Sequence, residues 1–544
     1  MSPRSVPTQP RRHGRVAFVG AGPGDPALLT VAATDLLAKA DTIIIDHLAG
    51  EAFARAFARP EVTIVDGATA SLSHGDHGRP LTHAATAKLV VKAAKECADG
   101  LVVRLLDGDP AMFSGLAEEA LACHKAKVGF DIVPGVSAVS AVPAYAGIPL
   151  TTSRSTTVHV CHGPDSVDES VAADKAATIV LLGTPDVLGG ALERLLEAGR
   201  AESSPVAITV NGTAVRQRTI VTTLGECPSA IPQTQFPALA VVGPTVELRE
   251  RLSWFETKPL FGWDVLVPRT KEQSASVCEQ LAAHGATATV VPTISVEPPR
   301  TPHQMDKAIK GLVTGRYEWI GFTSVNAVKA IREKIEECGL DARAFAGLKI
   351  AAVGGVTAEA LRSWGLNPDL VPSGEQSARG LLEDWPPFDD VLDPIDRVLL
   401  PRADIATETL VAGLQEMGWQ VDDVTAYRTV RAAPPAPHIR DAIKTGAFDA
   451  VLFTSSSTVR NLVGIAGKPH PCTVIACIGP ATAKTAEEHG LRVDVLAAEP
   501  NATLLVDALA DHGAGLAASA IEAGEDVQRP SLRRPTGRRR AKRN

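Results

Sequence analysis

Residues 16–46 read VAFVGAGPGDPALLTVAATDLLAKADTIIID, an apolar run, a glycine-rich turn, a helical pattern and a second apolar run. A short apolar run bounded by turn residues is typical of a buried strand, and the apolar spacing over 26–40 is that of a helix. A strand, a helix and a further strand in this order predict a β-α-β unit of a parallel sheet. The chain is therefore expected to begin with an α/β domain.

Apolar runs of the same kind recur through the first half of the chain. They are LVVRLLDGDP (101–110), FDIVPGV (130–136), ATIVLLG (177–183), PVAITVNGT (205–213) and PALAVVG (237–243). A helical pattern that includes Glu118 and Glu119 separates the first two runs. The stretch SWFETKPLFGW (253–263) combines aromatic residues with Pro and Gly, and we interpret it as a joint between two domains.

The second half contains an internal repeat. The segment 317–328 (YEWIGFTSVNAV) resembles 448–459 (FDAVLFTSSSTV), and 350–366 (IAAVGGVTAEALRSWGL) resembles 474–491 (VIACIGPATAKTAEEHGL). Two matched signatures in the same order predict two similar α/β lobes with a ligand in the cleft between them. Chance coincidence of common strand-turn-helix patterns is the alternative.

Length and composition exclude several classes of protein. A chain of 544 residues and 56.9 kDa is too long for one core. Hydrophobic residues make up 45% and charged residues 21%, which is a globular rather than a disordered composition. Aromatic residues are only 4%, and this favours close-packed α/β layers over an aromatic-rich β sandwich.

The net charge of −8 is unevenly distributed. Residues 529–544 (RPSLRRPTGRRRAKRN) hold eight Arg and Lys and no acidic residue, so the rest of the chain is more acidic than the whole. We predict a disordered basic tail over 512–544 and a disordered tail over 1–13. Contact of the basic tail with nucleic acid is the alternative. The acidic body argues against a nucleic-acid partner.

Cysteine spacing and hydropathy argue for a cytoplasmic protein. The eight cysteines are scattered, without a C-x-x-C motif or metal-ligand spacing, which predicts reduced thiols and no metal site. No continuous apolar run approaches the roughly 18 residues of a membrane span. The first residues, MSPRSVPTQPRRHG, lack the apolar core of a signal peptide.

Two glycine-rich turns point to a cofactor. The turn Gly20–Asp25 (GAGPGD) and the turn 107–110 (DGDP) each follow a strand, where glycine lets backbone N–H groups approach a ligand closely. A dinucleotide fingerprint needs a third glycine at the position of Asp25, although Asp46 lies where a ribose-binding acid is expected. One extended cofactor at the switch point of a sheet is predicted, and a dinucleotide-dependent oxidoreductase remains an alternative.

These blocks, with VPGVSAVSAVPAYAGIPLT (133–151) and NGTAVRQRTIVTTL (211–224), resemble uroporphyrinogen-III C-methyltransferases of the tetrapyrrole methylase class over residues 14–256. The resemblance implies S-adenosylmethionine bound between two α/β subdomains and two methylations of uroporphyrinogen III to precorrin-2. It implies that Asp46 is an acidic catalytic residue that accepts a proton. The cofactor-binding residues that it implies are Pro23, Asp107, Gly108, Asp109, Met112, Ser137, Ala138 and Gly212.

The sequence departs from this family where a carboxylate-rich substrate would need cations. Gly115 stands where the family has an Arg, and a family Lys is replaced near Gly67. The family's Pro-Gln reads Pro80-Leu81, and its T-G-H motif reads VCHG (160–163). Arg79, His74, His77 and Arg154 are candidate substitutes for the missing cations, and a solvated surface position is the alternative for each of them. A degenerate methylase half that serves as a scaffold or cofactor sensor is therefore an alternative.

Blocks of the second half resemble uroporphyrinogen-III synthase over residues 257–511. They are VLVPRTKEQSASVCEQLAAHGA (265–286), VPTISVEPP (291–299), LLPRADIATETLVAGLQEMGW (399–419), VDDVTAYRTV (421–430) and the repeated segments above. The resemblance implies two α/β lobes joined by a two-stranded hinge. It also implies cyclisation of hydroxymethylbilane with inversion of the last ring and release of water, without a metal or organic cofactor.

Hydroxyl groups dominate the candidate residues of this second site. Thr323, Ser324, Thr454 and Ser455 follow strands at predicted helix N-termini, which suit carboxylate binding, and simple N-capping is their alternative role. The remaining substrate-binding candidates, at matching places in the repeat, are Thr357 and Thr482. By the resemblance, Tyr427 is the catalytic tyrosine that assists departure of the hydroxyl, and its alternative role is that of a packed hinge aromatic. Arg402 and Arg269 are candidate carboxylate partners, with an ordinary surface position as the alternative.

The sequence thus predicts a fusion of a two-subdomain tetrapyrrole methylase with a bilobal synthase. The two modules are expected to act consecutively on tetrapyrroles in the cytoplasm, without a membrane or nucleic-acid partner. The resemblance further implies a homodimer through the methylase domain.

Overall fold

The structure, a computed structural model, describes residues 13–45, 50–67, 82–231 and 238–533. It divides into two compact units. The first consists of the chain up to Trp263 with residues 281–287 and 510–527, and the second of the remainder. The change from one unit to the other at Trp263 coincides with the end of the stretch 253–263 that the sequence marks as a joint.

The first unit begins with a five-stranded parallel sheet in the order β3-β2-β4-β1-β5. Its strands are β1 (Arg15–Gly20), β2 (Thr42–Ile45), β3 (Thr63–Asp66), β4 (Leu101–Leu106) and β5 (Phe130–Val133). The helices are α1 (Val31–Lys39), α2 (Glu51–Phe57), α3 (His83–Glu96), α4 (Leu116–Lys125) and α5 (Ala138–Tyr145). Residues 16–19 of β1 are completely buried. A central strand covered by helices on both faces explains the continuous apolar run.

A second sheet of the first unit is mixed, in the order β6-β7-β10-β8-β9. Its strands are β6 (Val158–His162), β7 (Thr178–Gly183), β8 (Pro205–Val210), β9 (Arg218–Thr223) and β10 (Ala238–Val242). The helices here are α6 (Glu169–Ala173), α7 (Pro185–Glu197), α8 (Cys227–Ala230) and α9 (Arg249–Leu252). β10 runs antiparallel to both of its neighbours, β7 and β8. The predicted arrangement of two α/β subdomains is confirmed.

The second half of the chain contains two more five-stranded sheets, in the orders β12-β11-β18-β19-β20 and β13-β17-β16-β14-β15. Their strands are β11 (Asp264–Val267), β12 (Thr287–Val290), β13 (Ile294–Glu297), β14 (Trp319–Phe322), β15 (Lys349–Ala352), β16 (Arg397–Ala403), β17 (Gln420–Arg431), β18 (Ala450–Phe453), β19 (Val474–Cys477) and β20 (Val495–Leu496). The helices are α10 (Lys271–Ala283), α11 (Pro302–Val313), α12 (Val325–Glu337), α13 (Gly355–Ser363), α14 (Ala378–Asp384), α15 (Thr409–Glu416), α16 (Pro437–Thr445), α17 (Ser456–Ala466), α18 (Pro480–Glu488) and α19 (Ala502–Glu522).

These two sheets form the two lobes that the internal repeat predicts. The repeated segments are β14-α12 and β15-α13 in one lobe and β18-α17 and β19-α18 in the other. The lobe with β14 is inserted in sequence between β12 and β18 of the other lobe, so the chain passes between the lobes twice. β13 and β17 pair antiparallel next to these crossings.

The C-terminal segment differs from the predicted disordered tail. Helix α19 continues to Glu522, and a short 3-10 turn at Pro530–Leu532 lies against the lobe that contains β11 and β18. The fully buried Asp449 accepts hydrogen bonds from the Ser531 N–H and the Asp264 N–H, both at 2.8 Å. A buried carboxylate needs such donors, and this requirement orders a segment that composition alone marks as disordered.

Helix α19 also bears on the membrane prediction. Among the described residues it is the one helix long and apolar enough to cross a membrane by length and composition, and 33% of the qualifying window is buried inside the protein. The helix contains no long continuous apolar run, because Asp507 and Asp511 interrupt it. A single helix of this kind is weak evidence for a membrane span.

Two candidate active sites

The first site lies where β1, β4 and β5 end at their carboxyl edge. Three glycines, Gly20 at the end of β1 and Gly108 and Gly135 just after β4 and β5, approach each other closely through their backbones. A Cβ atom on Gly20 would lie 2.5 Å from the Cα of Gly135, and one on Gly135 would lie 2.2 Å from the carbonyl oxygen of Gly108. Gly22 and Gly108 also exchange two backbone hydrogen bonds, of 3.2 and 2.8 Å. Only glycine allows these loops to approach so closely.

Asp109 ties the loop after β4 to the loop before α5. Its carboxylate accepts hydrogen bonds from the Ala111 N–H at 2.8 Å and from the Gly135 N–H at 3.0 Å. Ser137 caps α5 by accepting from the Val139 N–H at 3.2 Å. The loop around Gly108 and the first turn of α5 are thereby held next to each other.

The loop 211–213, after β8, closes this site from the second subdomain. The Asp25 N–H donates to the Thr213 hydroxyl at 3.0 Å, and a Cβ atom on Gly24 would lie 3.1 Å from the Gly212 carbonyl oxygen. The Tyr145 hydroxyl donates to the Asp25 carboxylate at 2.8 Å. Burial, together with this neighbouring carboxylate, raises the pKa of Tyr145, so the phenol stays protonated and remains a donor.

The structure brings the predicted cofactor-binding residues into these loops. Gly108, Asp109, Ser137, Ala138 and Gly212 lie on the loops that the contacts above join. The other three, on the same loops, are Pro23, Asp107 and Met112. Asp46 lies outside the described residues, as do His74, His77, Arg79, Pro80 and Leu81. The roles assigned to all of these residues remain predictions.

The sequence did not identify His83, which occupies the space beside Gly115. Gly115 has a φ of +79°, and a Cβ atom there would lie 2.1 Å from the His83 Nδ1. The imidazole therefore fills the volume into which a side chain at position 115 would extend. The buried Arg104 is no substitute cation, because Glu119 pairs with it at 2.9 Å. The ring of Phe113, in the loop between β4 and α4, stacks on the ring of His162, the last residue of β6, with 5.2 Å between the ring centres.

The second site contains a direct contact between Tyr427 and Ser324. The Tyr427 hydroxyl lies 2.9 Å from the Ser324 hydroxyl oxygen, and only 7% of Tyr427 is exposed. Ser324 also caps α12 by accepting from the Ala327 N–H at 3.2 Å, so the capping role is real as well. The half-buried Thr323 precedes it in the same turn. The structure thus places the predicted catalytic residue beside a predicted substrate-binding hydroxyl.

The equivalent turn of the other lobe carries Thr454 and Ser455. Ser455 caps α17 by accepting from the Thr458 N–H at 3.2 Å, within a capping box. Thr357 and Thr482 occupy matching positions in α13 and α18 but are only 6% and 4% exposed. Their side chains pack inside the lobes rather than facing solvent.

The two candidate arginines differ in their surroundings. Arg402 is buried and is paired with Asp423 and Glu408, so its charge is already balanced within the protein. Arg269 is half-buried just beyond the carboxyl end of β11, and no side chain in the described part of the chain pairs with it. Burial lowers its pKa. Since β11 and β18 are parallel neighbours, Arg269 and Thr454 lie at the same edge of one sheet.

Two family models match consecutive parts of the chain. The family described as tetrapyrrole (corrin/porphyrin) methylases matches residues 15–228. The family described as uroporphyrinogen-III synthase HemD matches residues 275–507. Both matches fall within the modules that the sequence predicts.

Several known proteins are similar to the chain. The porphyrin biosynthesis protein HemD of Ruminiclostridium josui is 31% identical over 516 residues, 92% of this chain and 99% of that protein. An S-adenosyl-L-methionine-dependent uroporphyrinogen III methyltransferase of Methanosarcina barkeri is 37% identical over 44% of this chain and 95% of that protein. The siroheme synthase of Azotobacter vinelandii is 37% identical, but the match spans only 53% of its length. A crystal structure of uroporphyrin III C-methyl transferase from Thermus thermophilus is 28% identical, with a TM-score of 0.37 over 43% of this chain and all of that one.

Proposed function

Because this chain belongs to the family of the Ruminiclostridium josui porphyrin biosynthesis protein HemD, we propose that its two domains act in succession on one tetrapyrrole. It is a bifunctional tetrapyrrole biosynthesis enzyme in which a methylase domain precedes a uroporphyrinogen-III synthase domain. The synthase domain closes hydroxymethylbilane to uroporphyrinogen III, and the methylase domain converts that product to precorrin-2. The contact between Tyr427 and Ser324 is the observation that carries the first step.

In the synthase domain, the chain's main task is to control the geometry of a flexible polyanion that also cyclises without an enzyme. The Tyr427 hydroxyl, oriented by Ser324, donates its proton to the departing hydroxyl, so that the C–O bond breaks and water leaves. The proton released when the macrocycle closes returns to the tyrosine. Thr323, Thr454 and Arg269 supply donors for the substrate carboxylates at the ends of β14, β18 and β11.

In the methylase domain, the glycine loops fit S-adenosylmethionine. The close approach of Gly20, Gly108 and Gly135 leaves backbone groups rather than side chains around the loop ends. Asp109 and Ser137 hold these loops, and Gly212 borders them from the second subdomain. When bound, S-adenosylmethionine supplies an activated methyl group. The family match replaces the dinucleotide interpretation of the first glycine turn.

The role of Asp46 in the methylase domain belongs to this proposal as well. Loss of a proton from the methylated tetrapyrrole carbon requires a base, and Asp46 follows β2, the neighbour of β4 in the parallel sheet. The loop after β4 carries Asp109. Carboxyl ends of parallel strands meet at one edge of a sheet, which is the edge where the cofactor loops lie.

One observation supports a second candidate function for the methylase domain. At position 115 glycine and the adjacent His83 ring take the place of the cation expected for a carboxylate-rich substrate. A domain that binds S-adenosylmethionine but transfers methyl groups poorly would act as a cofactor sensor for the synthase. Normal precorrin-2 turnover by the purified chain would exclude this second function.

We further propose that the enzyme works in the cytoplasm and forms a homodimer through its methylase domain. All eight cysteines are free thiols, which suits a reducing compartment. The family resemblance supports the homodimer, which sedimentation of the purified full chain tests. A mass of one chain at micromolar concentration would contradict it.

The test of the proposed function is to supply hydroxymethylbilane to the purified full-length chain with and without S-adenosylmethionine. We expect uroporphyrinogen III without the methyl donor and precorrin-2 with it, both identified by chromatography and mass spectrometry. Formation of the symmetric type I macrocycle at the uncatalysed rate would overturn the proposed synthase function. Accumulation of uroporphyrinogen III in both reactions would overturn the methyl transfer alone.

A further inference from the structure

The loop 211–213 that borders the proposed cofactor site has a strained backbone. Asn211 and Thr213 have φ angles of +51° and +65°, in the left-handed region that residues with a Cβ atom rarely adopt. Gly212 lies between them, and a Cβ atom there would lie 2.5 Å from the Val142 side chain. A loop of this kind keeps its shape only when the surrounding structure fixes it.

A chain of hydrogen bonds fixes the loop from the side of the domain joint. The Thr213 N–H donates to the Gln217 side-chain oxygen at 2.7 Å, and the Gln217 amide nitrogen donates to the Glu256 carboxylate at 2.8 Å. Glu256 also accepts from the Thr219 hydroxyl at 2.6 Å and from Arg249 at 2.9 Å. Because Gln217 is 97% buried with both ends of its amide bonded, its orientation is determined.

The other side of the same loop contacts the glycine-rich turn. The Thr213 hydroxyl accepts from the Asp25 N–H at 3.0 Å, and the Gly212 carbonyl lies close to Gly24. A shift of Thr213 would therefore move both the Gly212 backbone and the turn that follows β1. Gln217 contacts the loop through the Thr213 N–H, and Glu256 contacts it through Gln217.

We infer that Gln217 and Glu256 are positioning residues that set the 211–213 loop for S-adenosylmethionine binding. The inference rests on the proposed cofactor site and adds the residues that determine its affinity. Without Glu256, the Gln217 amide loses its acceptor and can rotate, and the Thr213 N–H then loses its partner. The strained backbone relaxes, and the loop no longer presents its backbone to the cofactor.

The experiment measures binding of S-adenosylhomocysteine to the full-length chain by calorimetry, followed by the KM for S-adenosylmethionine and the kcat of methylation. We expect Glu256→Ala and Gln217→Leu each to weaken binding about tenfold, as for loss of one buried hydrogen bond. Combining them should weaken binding no further, since both act through one chain of bonds. KM should rise while kcat at saturation stays within about twofold of the unchanged protein.

Three controls separate positioning from a general loss of structure. Glu256→Gln retains an acceptor for Gln217 and should recover most of the affinity. Glu250→Ala changes an exposed acidic residue on α9 and should leave affinity unchanged. The synthase rate of each variant, carried by the other domain of the same chain, should stay at the level of the unchanged protein.

Two results would overturn the inference while leaving the cofactor site in place. One is unchanged affinity for S-adenosylhomocysteine in Glu256→Ala and Gln217→Leu. The other is a parallel fall of cofactor affinity and synthase rate, which would mean that the bonds only maintain the fold. An unchanged protein that does not bind S-adenosylhomocysteine at all would overturn the proposed cofactor site and this inference together.

Discussion

The hydroxyl of Tyr427 is the group on which the proposed synthase chemistry depends. Tyr427→Phe keeps the buried ring but removes the proton that accompanies the departing hydroxyl, so kcat should fall about 100-fold, as for loss of a general acid. Ser324→Ala should cost less in kcat, because it removes only the orienting contact and about 1 kcal/mol of helix capping. The ratio of type III to type I product measures the loss of enzymatic cyclisation, because the uncatalysed reaction gives type I. Equal rates for Tyr427→Phe and the unchanged protein would contradict the assignment.

Arg269 differs from Arg402 in having no acidic partner among the described side chains, and this makes it the better candidate for a substrate carboxylate. Arg269→Ala should raise the KM for hydroxymethylbilane about tenfold, since a charge-assisted hydrogen bond would be lost. Arg343→Ala, at a fully exposed position paired with Asp341, is the matched control and should change nothing. Steady-state kinetics in the synthase direction decide between these outcomes. The same change in KM for Arg269→Ala and Arg343→Ala would contradict the role of Arg269.

Gly115 offers a test of the contact with His83. Gly115→Ala places a Cβ atom against the imidazole and holds alanine at a φ of +79°, so the free energy of unfolding should fall by at least about 1–2 kcal/mol. Adding His83→Ala removes the clash but not the unfavourable φ, and should restore part of the loss. Gly129→Ala, where a Cβ atom meets nothing within 4 Å, serves as the control. Urea unfolding measures all four proteins, and no recovery in the double variant would contradict the contact.

Sequence reasoning identified residues whose role is visible in a local motif and overlooked those whose role is created by tertiary contact. Tyr427 and Ser324 were both identified from their motifs, although nothing in the sequence indicated that they touch. Glu256 lies 39 positions from Gln217, and His83 touches Gly115 only because of how the chain folds. Neither pair has a sequence pattern that could have marked it beforehand.

The apolar runs in the sequence predicted the strands, because most of these strands are buried on both faces of their sheets. β1, β7 and β18 are examples in which continuous apolar residues coincide with nearly complete burial. Thr357 and Thr482 show where such reasoning fails. Their position after a strand was predictable, but whether a side chain at a helix start faces solvent or the core depends on helix rotation, which the repeat does not reveal.

Truncation tests how much the ordered segment 528–533 contributes to stability. A chain that ends at Val527 leaves Asp449 without the Ser531 N–H and the nearby Arg529, so a buried carboxylate loses a donor. The synthase domain should then lose about 1–3 kcal/mol of stability. A chain that ends at Arg533 keeps these contacts and is the control. The urea concentration at which half of the synthase activity is lost is measured for both chains. Identical midpoints would contradict the structural role of the segment.

Because the two functions belong to separate domains, single substitutions should separate them. Tyr427→Phe should leave methylation of supplied uroporphyrinogen III unchanged, because the residue lies in the synthase domain. Gly108→Val, which inserts a bulky side chain beside Ala138, should abolish S-adenosylhomocysteine binding but leave cyclisation intact. Paired assays on the same preparations measure both activities. Loss of both activities from either substitution would contradict their independence.

The insertion of one synthase lobe between the halves of the other bears on protein synthesis. While the ribosome is still translating residues 294–431, β11 and β12 exist without β18, which pairs with β11 in the finished sheet. An unpaired edge of this kind invites pairing with other nascent chains. Premature termination after residue 431 would therefore yield a complete inserted lobe attached to an incomplete sheet with an unpaired strand edge. Such fragments should aggregate and accumulate in inclusion bodies.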